Sequence, residues 1–215
     1  MAVNGVLEGF FSLIQYLSDV LFPAIGKKYL DFLTAPYFYP EMIWIVIPLI
    51  VTLVLLEFYF GRYTKEELGW NTAVGNSLVL IFVSIDLLKH IFSKAYPDIQ
   101  LINPMVLFSN IAKLPIADPV RFSIGLAVGF IGAWVLFFDF FHLLPKKVAF
   151  KISDALPINL IAYVGVVFVY TDILADTSMF NIIVTIISAI LLFFSLLLFF
   201  GLLHLVEPAK GDESD

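Results

Sequence analysis

The 30-residue stretch from 177 to 206 contains no Asp, Glu, Lys or Arg; its one titratable group is His204. At about 1.5 Å rise per residue, about 20 apolar residues cross a hydrocarbon core of about 30 Å, so this stretch has length to spare for tilt. Four further runs carry one acid each: 42–61 with Glu57, 68–88 with Asp86, 122–144 with Asp139 and 155–175 with Asp172. In lipid every backbone N–H and C=O must be bonded within the protein, so only helices and closed barrels cross. A barrel needs alternating strands of about 9 to 11 residues, and these continuous runs do not alternate. The expected fold is all-α, a polytopic transmembrane helical bundle of five spans.

Residues 6–33 are interrupted by Glu8, Gln15, Asp19, Pro23, Lys27 and Lys28, yet Val6, Phe10, Leu13, Leu17, Val20 and Leu21 keep a helical spacing. That pattern suits an amphipathic helix lying in the interface, or else a sixth span. The expected organisation is an N-terminal segment over 1–38, a transmembrane domain over 39–206 and an acidic, disordered tail over 207–215. The link 89–121 holds Pro97, Pro104, Pro115 and Pro119 and reads as a partly embedded loop or interfacial helix. Glu8 and Asp19, with no basic region before them, argue against a cleaved signal peptide, and no lipidation motif is expected to anchor the chain.

The hydrophobic fraction of 61% and charged fraction of 14% make the lipid bilayer the first partner, since soluble domains run at about 45–50% and about 25%. A net charge of -6 with no basic run speaks against nucleic acid. The absence of cysteine excludes disulfides, iron–sulfur clusters and thiol catalysis. No G-x-S-x-G, H-E-x-x-H, G-x-x-x-x-G-K or G-x-G-x-x-G occurs, so no cofactor, metal or catalytic residue is assigned and the chain leans away from being an enzyme.

Let side A be the membrane face reached after the first and third runs, and side B the opposite face. Six basic residues fall on each side. Five of those on side A, Arg62, Lys65, Lys146, Lys147 and Lys151, crowd into two short loops, which favours side A, and with it the C-terminus, as cytoplasmic.

Two pairs of runs resemble each other. The first and third end in two apolar residues, an acid and two aromatics, around Glu57 and Asp139; the second and fourth share F-V-x-x-D-[LI]-L around Asp86 and Asp172. The offsets are 82 and 86 residues, as expected for a duplicated two-helix hairpin. In the third run Gly125, Gly129, Gly132 and Asp139 share one helix face, and in the fourth Ala162, Gly165 and Asp172 do the same. Small-residue faces let helices approach closely, so these two runs are expected to pack together with their acids inward.

Antiparallel neighbours divide the acids between the two faces. Side A receives Glu57, Asp139, His142 and His204, and side B receives Asp86 and Asp172 with Lys89 and His90 near Asp86. Carboxylate and imidazole together can share a proton or bind a cation. The stripe Asn181, Thr185, Ser188 and Ser195 can line a pore or bond a neighbouring helix. The expected function is therefore a small transporter or channel-like protein handling protons or cations through intramembrane carboxylates. The alternatives are a non-catalytic scaffold or complex subunit, partnered by a second copy or another membrane subunit, and a membrane-embedded metal enzyme using the side A group.

Overall fold

The computed structural model describes residues 2–62, 69–97, 116 and 118–206, with side chains for 8–59, 62, 69–97, 116 and 118–203. Every regular element among them is helical: α1 (Ala2–Tyr16), a π-helical stretch (Leu17–Leu21), α2 (Phe22–Phe38), a 3-10 turn (Pro40–Met42), α3 (Ile43–Arg62), α4 (Trp70–Ala95), α5 (Pro119–Phe140), α6 (Lys146–Ile152), α7 (Ala155–Tyr170) and α8 (Met179–Val206). The tail 207–215 and most of the 89–121 link lie outside the described residues.

Local chemistry sets the boundaries. The π-helical stretch ends two residues before Pro23, whose missing N–H and bulky ring disturb the preceding turn. Asp118 caps α5 by accepting the Arg121 N–H at 3.0 Å, with Pro119 in the first helical position. Before α8, Ser178 Oγ accepts the Asn181 N–H at 3.3 Å. Ser178 itself donates its N–H and hydroxyl to Asp176 at 2.8 and 3.0 Å, which holds that exposed carboxyl below the usual carboxylate range.

Five stretches among the described residues are long and apolar enough to cross a membrane, as in a multi-pass membrane protein: Glu8–Phe38, Pro40–Tyr59, Pro119–Phe140, Lys146–Tyr170 and Met179–Leu203. The N-terminal segment is therefore long enough to be more than an interfacial helix. Its first buried side chains are Phe32 and Ala35, where α2 packs against α7 and α8.

Several expected boundaries shift. The second run extends as helix to Ala95, well past residue 88. The third begins at Pro119 and stops at Phe140, because the chain turns at His142 (φ 52°) before Pro145. The fourth stops at Tyr170 because Thr171 is extended, leaving Asp172 outside the helix. The matched acids of the two hairpins thus sit in different local structure, Asp86 inside α4 and Asp172 in a turn.

The core lies where α4, α5 and α7 meet. Burial reaches 56% in the Lys146–Tyr170 stretch against 22% in the α3, α5 and α8 stretches, which makes α7 the central apolar helix. Its companion α4 is the more polar one, and Asn76, Ser77 and Ser84 are buried against other helices.

The glycine face of α5 meets α4, and not chiefly α7 as its sequence pattern suggests. A methyl group on Gly132 would lie 2.7 Å from Leu80 Cβ, one on Gly125 3.2 Å from Leu88, and one on Gly129 would collide with Ser84. Ser84 Oγ donates to the Gly125 carbonyl at 2.7 Å across this seam. Gly165 of α7 faces Val128 of α5, and Ala162 is wholly buried. In such a seam Gly132→Val is expected to cost about 1–3 kcal/mol through overpacking. Gly75→Ala, with nothing within 4 Å, should be neutral or gain up to about 1 kcal/mol from helix propensity. Thermal unfolding of both variants in one detergent checks the contrast.

Candidate functional site

The two ends of the bundle carry different polar chemistry. At side A, Asp139 is 1% exposed and accepts hydroxyl hydrogen bonds from Ser77 of α4 at 3.0 Å and Ser153 at 2.5 Å. Asn76 donates to the Ser153 carbonyl at 2.8 Å. The carboxylate therefore ties α4, α5 and the α6–α7 junction together. His142 is exposed and packs against Trp70 with the rings tilted by 33° and their centroids 4.0 Å apart. Glu57 is half-buried on α3, which packs on α7 and α8. His204 belongs to α8, but its side chain lies outside the described residues. Asp139 and His142, neighbours in sequence, are thus turned to different surroundings.

At side B the chain leaves α7, and the carbonyls of a helix C-terminus need donors. Arg121 supplies them from α5: its Nη2 reaches the Thr171 carbonyl at 2.9 Å and Asp172 Oδ1 at 2.7 Å, while Nη1 pairs with Asp118 at 3.1 Å. Lys28 of α2 donates to the Ile173 carbonyl at 2.7 Å. Two cations from different helices thus cap one helix end. The Asp172 side chain is 72% exposed, so its ion pair is well screened by solvent.

Asp86 lies just beneath this end. Its Oδ2 accepts the Tyr170 hydroxyl at 2.9 Å, and His90, one turn along α4, stacks on the Tyr170 ring with centroids 3.8 Å apart. Asp86, Glu41, Lys89 and Tyr170 line the polar end of an open cleft of about 560 Å³ between α3 and α4. A second cleft of about 480 Å³, lined by Lys28, Asp31 and Asp172, lies on the other side of the α7 terminus.

The sequence reading brought out the acids but missed the groups that position them. Arg121 counted only as a loop charge, although the Asp118-Pro119 pair three residues before it signals a helix start. Tyr170 and Lys28 carry no local signal, because the contacts they make span 84 and 145 residues. Two residues of the α8 stripe reach α2, Ser188 donating to the Ile25 carbonyl at 3.0 Å and Ser195 accepting from Tyr29 at 3.0 Å, while Asn181 and Thr185 bond locally to the Asp176 and Asn181 carbonyls. Among the described residues no group of three His, Asp or Glu side chains is arranged to hold a metal ion.

The two kinds of acid should respond differently to removal. Asp139→Ala leaves the buried Ser153 hydroxyl without its acceptor, at about 1–3 kcal/mol, while Ser77 can still donate to the Ala73 carbonyl at 2.9 Å. Asp172→Ala removes a solvent-screened pair worth less than about 1 kcal/mol. Comparing midpoints of denaturant unfolding in mixed micelles tests that order.

No protein-family model, curated protein or solved structure matches this chain.

Proposed function

We propose that the protein takes up protons or cations at the carboxylates of side B, as the entry step of a small transporter or channel-like protein. The observation that carries this reading is Asp86, a carboxylate on an interior helix that borders an open cleft together with Glu41 and Lys89. Ionisable groups at membrane depth cost at least about 2.5–3.5 kcal/mol on insertion scales, so one retained beside a cleft points to use. Tyr170 and His90 support it as a donor and a stacked imidazole within the same cluster.

In this reading Glu8–Phe38 and α4 also span the bilayer, giving six crossings with both ends on side A, and the basic short loops put side A in the cytoplasm. A duplicated hairpin would make Asp86 and Asp172 counterparts. Here they do different work, Asp86 in the cleft and Asp172 at the end of α7.

A second reading, a non-catalytic scaffold or complex subunit, is favoured by Asp139, whose carboxylate is engaged in holding three segments together. Co-purification of a stoichiometric partner or of a defined homo-oligomer supports it.

Proteoliposome flux separates the two. Wild type should carry a proton or cation current that Asp86→Asn abolishes and that Asp172→Asn leaves largely intact. Wild-type liposomes silent to protons, sodium, potassium and magnesium would remove the transport reading.

A further inference from the structure

The cleft beside Asp86 has the same order of side chains on both of its walls. Although α3 and α4 are consecutive, α3 leans on α7 and α8 while α4 leans on α5 and α7, and a gap of about 560 Å³ is left between them. On the α3 wall Glu41 of the 3-10 turn is followed three residues later by Trp44, and on the α4 wall Asp86 is preceded four residues earlier by Phe82. Residues three or four apart share a helix face, one turn from each other. The two helices run in opposite directions, so each wall carries a carboxylate toward side B and an aromatic ring one turn deeper.

Trp44 and Phe82 are 87% and 67% exposed, so the rings they bring to the cleft are uncovered. Below them Pro48 and Val79 continue the walls as hydrocarbon. Asp86 accepts the Tyr170 hydroxyl, and among the described residues neither Asp86 nor Glu41 takes part in an ion pair. Lys89 lies on the same rim. Two carboxylates against one ammonium leave one negative charge, which a single positive charge balances.

We infer, resting on the reading of Asp86 as a cation site, that the cleft takes an organic monocation: an alkyl- or arylammonium whose nitrogen sits among Asp86, Glu41, Trp44 and Phe82 and whose hydrocarbon body fills the gap below. Aromatic faces attract a quaternary nitrogen through the ring quadrupole, indole most strongly. Ligand pockets run from about 300 to about 1,000 Å³ and are mostly apolar with few polar groups, and this cleft has that size and make-up. A hard metal ion wants about six oxygen ligands, and among the described residues no third carboxylate or imidazole joins these two in a metal-holding group. A proton uses neither the rings nor the volume. An ammonium on a hydrocarbon body uses the charge, the rings and the apolar walls together.

The experiment compares benzyltrimethylammonium with neopentylbenzene, its uncharged carbon isostere, on the full-length protein in nonionic detergent by calorimetric titration. Wild type should bind the cation saturably and roughly tenfold or more tightly than the isostere. Trp44→Leu and Phe82→Leu should each weaken that binding roughly two- to fivefold, the range of one exposed cation–π contact. Lys89→Gln should strengthen it by removing the like charge. All three side chains are exposed, so the fold does not depend on them. Equal affinity for the two compounds in wild type, or no saturable binding of the cation, overturns the proposal. Flux in proteoliposomes separates that failure from failure of the cation-uptake reading. An Asp86-dependent proton or sodium current without benzyltrimethylammonium binding removes the organic cation and leaves the uptake reading standing. Saturable binding that Asp86→Asn abolishes, with no flux of any ion, supports the site and removes transport.

Discussion

The close approach of α4 and α5 organises the rest of the molecule. Three glycines on one face of α5 remove the side chains that would hold the helices apart, so the Ser84 hydroxyl can reach a backbone carbonyl across the seam. Without that approach Ser77 could not meet Asp139 at one end, nor would α5 present Arg121 to the end of α7 at the other. In an apolar medium there is little hydrophobic drive between helices, and close packing with interhelical hydrogen bonds takes its place. The seam supplies both.

Polar groups elsewhere follow the same economy. At Thr171 the α7 backbone stops bonding to itself, and Arg121 and Lys28 meet the carbonyls that result. The α8 hydroxyls fasten α2 by bonding its backbone carbonyl and its tyrosine. A hydroxyl facing a neighbouring backbone costs little burial and fixes register, which explains how α2 is held although few of its side chains are buried.

Much of this was legible in the sequence, and the limits were physical. Long uncharged runs announce helices of membrane-crossing length because no other element buries its backbone in lipid. The glycine face of α5 was equally visible, since spacings of three and four fix a face. Its partner was not: a small-residue stripe says that something approaches and leaves open which helix. The serine and tyrosine partners of Asp139 and Asp86 were hidden because they come from other helices. The end of α7 was misjudged because hydropathy continues through Ile173 and Leu174, while the helix stops at a residue defined by its capping cations.

The layer between the two polar ends bears on any transport cycle. From Ser77 to Asp86, α4 turns Leu80 and Val83 into the core, which Val128, Ala162 and Val166 fill from α5 and α7. Ser84 falls in this interval, but its hydroxyl is committed to Gly125. A cation at Asp86 therefore faces apolar packing on the way to Asp139, and interiors packed this tightly switch between arrangements rather than deform smoothly. The α4–α5 seam is the least suited to move, since its glycine contacts leave no slack. Free volume lies on the α2 and α3 side, in both polar clefts and an apolar cavity lined by Leu53 and Leu196, and beside α8 in an apolar cleft of about 520 Å³ shared with α5 and α7. Passage across the bilayer, in the proposed reading, would come from α2, α3 and α8 shifting against a fixed α4–α5–α7 unit.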